Sequence, residues 1–364
     1  MARYEWDVTY NGTQALSDVQ NITIQKGRVQ IQDPFKASTA TIQGRNVEFF
    51  PPVQIGGTIV ITAQIGLDVY DVFVGVVADV QITYGQIPAM DTWSVFCEDA
   101  VARLGRSLTT DTFSWTAGTT TAQAAIDTAS NATGGVVTVS SVGPFSSSTV
   151  SAQSLPNTNA LQILNQLAAT EQGYLYSLAP NLVTFRSRAE IGAWPLRGVF
   201  TDGTAATIQP TAPFNDVIFR SQADSFYEEV VVEPEGLASQ TAGTGARIYN
   251  LRSYDETTTQ ARNLADYVLA TLQVQQSVPS TLTTTSEIQF NEVALTCATE
   301  AGTGIRCGMI LRGVSYDLFV EGSTITVTPG QARFSLNLVS AAALQFFILD
   351  STTFGRLDFD KLGF

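Results

Sequence analysis

Across residues 1–97, apolar and polar side chains alternate in short runs. Ile22 and Ile24 alternate with Thr23 and Gln25, and Val29 and Ile31 with Gln30 and Gln32. Ile59, Ile61, Ala63 and Ile65 alternate with Val60, Thr62 and Gln64, and Trp93, Val95 and Cys97 keep the same rhythm. A period of two puts every second side chain on one face, so each run predicts a half-buried strand. Pro51-Pro52 and Gly56-Gly57 predict turns between them. This region is expected to be an antiparallel barrel or sandwich.

From Glu98 the spacing lengthens. Glu98–Leu104 and the alanine-rich Thr121–Ala129 predict short helices, ended by Gly105 and Gly134-Gly135. Ser140–Ser154 predicts an exposed loop or weak strand. Asn157, Thr158 and Asn159 offer a cap to a helix whose apolar face is Ala160, Leu161, Ile163, Leu164, Leu167 and Ala168, with Gly173 as its stop. A hairpin, Tyr174–Leu178 with Leu182–Arg186, follows. Residues 98–205 are expected to form a small α/β module. Residues 206–345 predict a second β region with one long helix, capped at Thr257–Thr259 and apolar at Ala261, Leu264, Ala265, Val268, Leu269 and Leu272. Its remaining strands are expected at Ile288–Leu295, Met309–Val320, Thr324–Thr328 and Arg333–Leu338. The expected fold is mainly β: two tube-like antiparallel β-barrels separated by the α/β module.

One pattern recurs. Gly75-Val76-Val77-Ala78-Asp79-Val80 echoes Gly313-Val314-Ser315-Tyr316-Asp317-Leu318, and an aromatic-led alternating strand follows each, at Trp93 and at Phe334. The echo predicts a duplicated unit.

Composition narrows the chemistry. The chain has 364 residues, no histidine and a net charge of −14. Without imidazole there is no Ser-His-Asp or Cys-His nucleophile and no histidine-bound zinc or iron. An acidic surface repels phosphate backbones, which argues against ordinary nucleic-acid binding. Cys97, Cys297 and Cys307 lack metal-ligand or disulfide spacing and predict buried small hydrophobes. The longest apolar stretch, Val72–Val80, is too short to span a bilayer. Met1–Trp6 has no signal-peptide pattern, so synthesis in a cytoplasm is expected. No lysine follows a glycine, which excludes a P-loop, and Gly243-Thr244-Gly245 sits in a loop without the strand-helix context of a dinucleotide site. Glu228-Glu229 and Glu233-Pro234-Glu235 form the densest carboxylate cluster, but adjacent strand residues face opposite ways, a poor geometry for an acid/base pair. Asp350, Asp358 and Asp360 lack a calcium-loop pattern. No catalytic residue, cofactor or metal is expected. The last segment, residues 346–364, carries Phe354, Leu357, Phe359, Leu362 and Phe364, which either fold back on the chain or form a partner interface.

The order of several degenerate segments resembles the tail hub, or minor tail, proteins of bacteriophages, relatives of contractile-tail baseplate hubs. These segments are Ser38–Ile42 before Gly44-Arg45, Val72–Val80, Glu98–Leu104, Ala160–Arg188, Phe214–Val217, and the terminal Phe347–Asp350, Gly355, Leu357-Asp358 and Leu362-Gly363. The resemblance implies a structural protein of the virion tail tip, not an enzyme. It implies a homotrimer with two barrels per chain, a pseudo-hexameric ring that joins the six-fold tail tube to tip or fibre proteins. Distal tail or tail-tube proteins, tail fibre proteins and the tape-measure protein are the implied partners, and DNA passes through the channel without specific binding. Two other readings remain: a receptor-binding adhesin gripping surface sugars through Ser140–Ser154, and a carboxylate-dependent polysaccharide hydrolase.

Overall fold

All but one of the alternating segments become strands, because one face of each is buried. In Thr58–Ile65, Ile59, Ile61 and Ala63 are fully buried, while Val60, Thr62 and Gln64 lie on the other face. The computed structural model describes residues 4–341, apart from 13, 17, 46–52, 66, 88–89, 142–147, 188–195, 204–210, 221–226, 275–277 and 287–291. Among them the fold is mainly β.

A single 14-stranded sheet contains two units with the same strand order. In the first unit the order is Val19–Gly27, Thr39–Arg45, Thr92–Glu98, Asp68–Thr83, Thr58–Ile65, Tyr4–Tyr10. In the second it is Asp216–Ile218, Thr281–Ser286, Gln331–Ser340, Val314–Thr328, Gly304–Met309, Gly198–Thr201. Each unit is organised around a long corner strand. Asp68–Thr83 pairs with Thr58–Ile65 as far as Val76, then with Thr92–Glu98. Val314–Thr328 pairs with Gly304–Met309 as far as Phe319, and from Leu318 with Gln331–Ser340. Each corner strand carries a bulge just past the switch, at Ala78 and at Glu321. The units differ at one edge: Tyr4–Tyr10 runs antiparallel to its neighbour, whereas Gly198–Thr201 runs parallel. No pairing among the described strands closes either unit on itself.

Superposing the bulges matches Ala78 with Glu321, Ile82 with Ile325 and Trp93 with Phe334. The sequence echo thus falls on corresponding strands and pairs the right aromatics. Its glycines are displaced, because Gly75 lies within a strand and Gly313 closes the turn before one, with φ +67°.

The units join in the middle of the sheet, where Val19–Gly27 pairs with Gly322–Val327 and sets Ile24 opposite Ile325. A common core lies beneath both units: Ile24, Ile42, Ile61, Trp93 and Val95 of the first with Phe200, Leu282, Ile305, Phe334 and Leu336 of the second.

A second core organises the middle module. The helix Ala160–Glu171 begins at Asn159, whose side chain accepts the Gln162 N–H. It ends at Gln172 in the left-handed region, one residue before the glycine expected to stop it. Its buried Ile163, Leu164 and Leu167 pack with Tyr174 and Phe185 of the following hairpin. The long helix Thr258–Val274 starts with reciprocal bonds: the Gln260 N–H donates to Thr257 Oγ1, and the Thr257 N–H to Gln260 Oε1. This helix and the sheet of Glu229–Pro234, Gln240–Gly243 and Ile248–Ser253 share the middle module's core through Val230, Val232, Leu251, Leu264 and Val268. Burial of their apolar faces against the middle helices thus overrides their nearness in sequence to the second β unit.

Three expectations differ. Val29–Gln32, expected as a strand from its alternation, is bend and turn just past the end of Val19–Gly27. Glu292–Thr299 is a helix, burying Ala294, Leu295, Cys297 and Ala298; a short apolar run fits either period until packing selects one. Val314–Thr328 is one strand rather than two, because the bulge at Glu321 carries it through the polar interruption.

Candidate functional site

The place where both β units meet the middle module is a buried charged junction. Strand Val19–Gly27 delivers Arg28, the bulge delivers Glu321, and the middle hairpin delivers Tyr174. The bulge turns the Glu321 side chain inward, leaving it 1% exposed. Arg28 Nε donates to Glu321 Oε2, and the Tyr174 hydroxyl donates to Glu321 Oε1. The guanidinium lies over the Phe35 ring at 4.4 Å from its centroid and the Tyr174 ring at 5.5 Å. Burial works to lower the Arg28 pKa and is the largest single influence, but the charge and hydrogen bond of Glu321 together with Tyr174 and Tyr249 outweigh it, and the result is raised. Burial, reinforced by Glu321, pushes the Tyr174 hydroxyl well up. A cavity of about 150 Å³ opens beside Arg28, lined by Asp33, Phe35, Asn165, Tyr249 and Leu251 among others.

Next to it, Lys26 donates to the Thr299 carbonyl (3.4 Å). Burial lowers its pKa to about 8, against the opposing charges of Asp99 and Glu300. Asp99 caps the helix Ala100–Gly105 by accepting the Val101 N–H at 3.0 Å. Burial pushes its carboxyl up to about 6, although bonds from Ser38 and Val101 and the Lys26 charge pull it down. The folded chain thus holds this proton more tightly than the unfolded chain, whose carboxyl titrates near 3.8. The stability this proton contributes is full below pH 3.8 and is lost as pH rises through about 6. Asp99→Asn keeps a capping oxygen and removes the ionisation. Urea midpoints between pH 4 and 6 are expected to flatten in this variant; an unchanged slope would assign the dependence to other groups.

The carboxylates that sequence marks as candidate catalytic material bond to nearby backbone and to one arginine. Glu228 and Glu229 do not point apart, because Glu228 lies just ahead of the strand. Both accept N–H bonds from one turn, Glu228 from Ala246 (2.9 Å) and Glu229 from Gly245 (3.2 Å). Glu233 faces Arg252 at 3.9 Å. Among the described residues, no three His, Cys, Asp or Glu side chains converge as a metal site, and no helix is long and apolar enough to cross a membrane. The three cysteines are buried, and burial pushes each thiol up to about 12. Phe354, Leu357, Phe359, Leu362 and Phe364, expected at a partner interface, lie outside the described residues.

Two groups of exposed apolar side chains follow the repeat. The turn entering the first corner strand presents Leu67, 97% exposed, and Val69. The equivalent turn of the second unit presents Leu311, 81% exposed, with Ile310 and Val314. Isolated exposed leucines are ordinary; here the same knob stands at the same place in two units. Sequence reasoning missed these knobs, and the interruption of alternation at Leu67 and at Leu311 was the available signal.

The fold built from two like β units and a helical module is shared with solved tail proteins, one of them from a prophage. The tail protein from Neisseria meningitidis MC58 has a TM-score of 0.67 at 13% identity, covering 94% of this chain and 98% of that one. The 43 kDa tail protein of prophage MuSo2 from Shewanella oneidensis gives 0.64 at 12% identity, covering 93% and 99%. The Escherichia coli c3393 protein, a type VI secretion component described as similar to the T4 tail proteins gp27 and gp5, gives 0.54 at 11% identity, covering 92% and 76%. No family model and no curated protein matches the sequence.

Proposed function

We infer that the chain is a structural hub of a phage tail tip and acts without catalysis. The observation that carries this reading is the repeat: two units of the same strand order, hydrogen-bonded side by side in one sheet. Three chains then offer six similar units, and a trimer can seat on a six-fold tail tube without any chain being six-fold itself. Each unit curls into a tube-like barrel within the ring. The Leu67 and Leu311 turns supply equivalent contacts to the ring above, a distal tail or tail-tube protein. The middle module and the C-terminal segment hold tip or fibre proteins, and the tape-measure protein is a further neighbour. The charge of −14 keeps passing DNA from sticking to the channel. The full-length fold likeness to tail proteins supports the reading.

Mass photometry of the purified chain tests it. A species of three times the 39.0 kDa chain mass is expected. Monomers alone, even when mixed with the tail-tube partner, would overturn the hub reading.

A further inference from the structure

The repeat leaves one half-made contact at each end of the molecule. Inside the chain, the second corner strand takes a partner along Gly322–Val327: Ile325 lies opposite Ile24 and Val327 opposite Ile22, all four buried. The first corner strand has the matching stretch, Asp79–Tyr84, in which Ile82 stands where Ile325 does and Tyr84 where Val327 does. Thr92–Glu98 pairs along one side of that stretch; no described strand pairs along the other.

The complementary edge lies in the second unit. Val19–Gly27 pairs with Thr39–Arg45 as Asp216–Ile218 pairs with Thr281–Ser286. Following both ladders back to the matched Trp93 and Phe334 sets Val217 at the position of Ile22 and Phe219 at that of Ile24. Asp216–Ile218 has no described strand on its outer side. All four equivalent positions are therefore apolar, like the four in the internal seam. Three of them, Ile82, Tyr84 and Phe219, are exposed, and Ile218 beside them is 50% exposed. Phe219 is already held on one side by the Tyr316 ring, with centroids 5.6 Å apart. Edge strands are ordinarily protected by charged side chains, lysine above all, or by proline; Val80–Tyr84 contains neither, and Val217–Arg220 has only Arg220 at its end.

We propose that these edges join two copies of the chain by antiparallel strand pairing, with Ile82 opposite Phe219 and Tyr84 opposite Val217 of the next copy. Each copy then continues its sheet into its neighbour with the register already used inside the chain. The choice of a second copy as occupant follows from the internal seam, where the equivalent pair of edges accept each other; it rests on the ring reading above. A ring so built has alternating internal and intermolecular seams of one kind.

The test uses the full chain carrying Ile82→Cys and Phe219→Cys together, treated with a short bis-maleimide. Its three native cysteines are buried, with thiols too weakly acidic to compete. A crosslinked ladder ending at the trimer is expected. The pair Ile82→Cys with Ile218→Cys should give none, since one residue along a strand reverses the face. Mixed single variants should stop at the dimer. A second variant, Ile82→Lys, is expected to lose the trimer while keeping its circular dichroism and urea midpoint. Trimers by mass photometry without the matched crosslink, or equal crosslinking in both pairs, would overturn the edge pairing and leave the hub reading standing. Monomers without crosslinks, tube partner included, would overturn both.

Discussion

Glu321→Ala is expected to destabilise the chain by about 3–5 kcal/mol, the usual loss when one member of a buried ion pair is removed. The side chain is almost wholly enclosed and serves two partners, Arg28 and the Tyr174 hydroxyl. Deleting it leaves a largely buried guanidinium without a counter-charge and a hydroxyl without an acceptor. The Phe35 and Tyr174 faces offset part of that loss, since cation–π contact contributes about 0.5–2 kcal/mol. Glu321→Gln separates the two roles, because the amide still accepts from Tyr174 but carries no charge. An intermediate loss is expected, measured by urea unfolding at constant slope. The double variant Arg28→Met with Glu321→Leu should recover most of the stability, as apolar replacement of a buried pair often does. A loss under about 1 kcal/mol in Glu321→Ala would be the size of a surface ion pair and would show that the junction is open to water.

That junction was hidden in the sequence for a definite reason. Alternation reports which face of a strand is buried, and it located Val19–Gly27, Thr58–Ile65 and Thr92–Glu98 of the first unit, while the equally alternating Val29–Gln32 is bend and turn; the echo matched Trp93 with Phe334. A bulge adds one residue and breaks the alternation. Glu321-Gly322 therefore looked like the end of one strand and a gap before the next, when it is the continuous middle of the longest strand in the second unit. The same insertion is what turns a glutamate inward. Helix ends were legible where capping chemistry is local, as at Asn159 and Thr257. The segment Glu292–Thr299 was not, because its apolar run is too short for its period to be read and only packing beneath the corner strand decides its form. The same holds for the long helix: its apolar face was evident, but which core receives that face is a tertiary fact. The repeat lies between these cases. Its aromatics were visible, whereas its register waited on the two bulges.

The seam between the units leads to the second large effect. Gly27→Ala is expected to cost about 2–5 kcal/mol, the sum of about 1–2 for a left-handed backbone and about 1–3 for over-packing. Gly27 has φ +68°, and a β-carbon there would meet the Glu321 carbonyl oxygen at 2.3 Å and the Gly322 α-carbon at 2.7 Å. Both are backbone atoms of the facing strand and cannot rotate aside. Gly322 is the mirror of this constraint, since its β-carbon would meet the Lys26 and Arg28 carbonyl oxygens at 2.5 Å. Two glycines face to face let the strands approach where Arg28 must reach Glu321. Gly330→Ala provides the comparison: its φ is +87° but nothing lies within 4 Å, so only the backbone part, about 1–2 kcal/mol, applies. Equal losses at Gly27 and Gly330 would show that the seam is loose enough to part. A larger loss at Gly27 alone would show that the close approach itself holds the two units in register, and with them the junction that the middle module clamps.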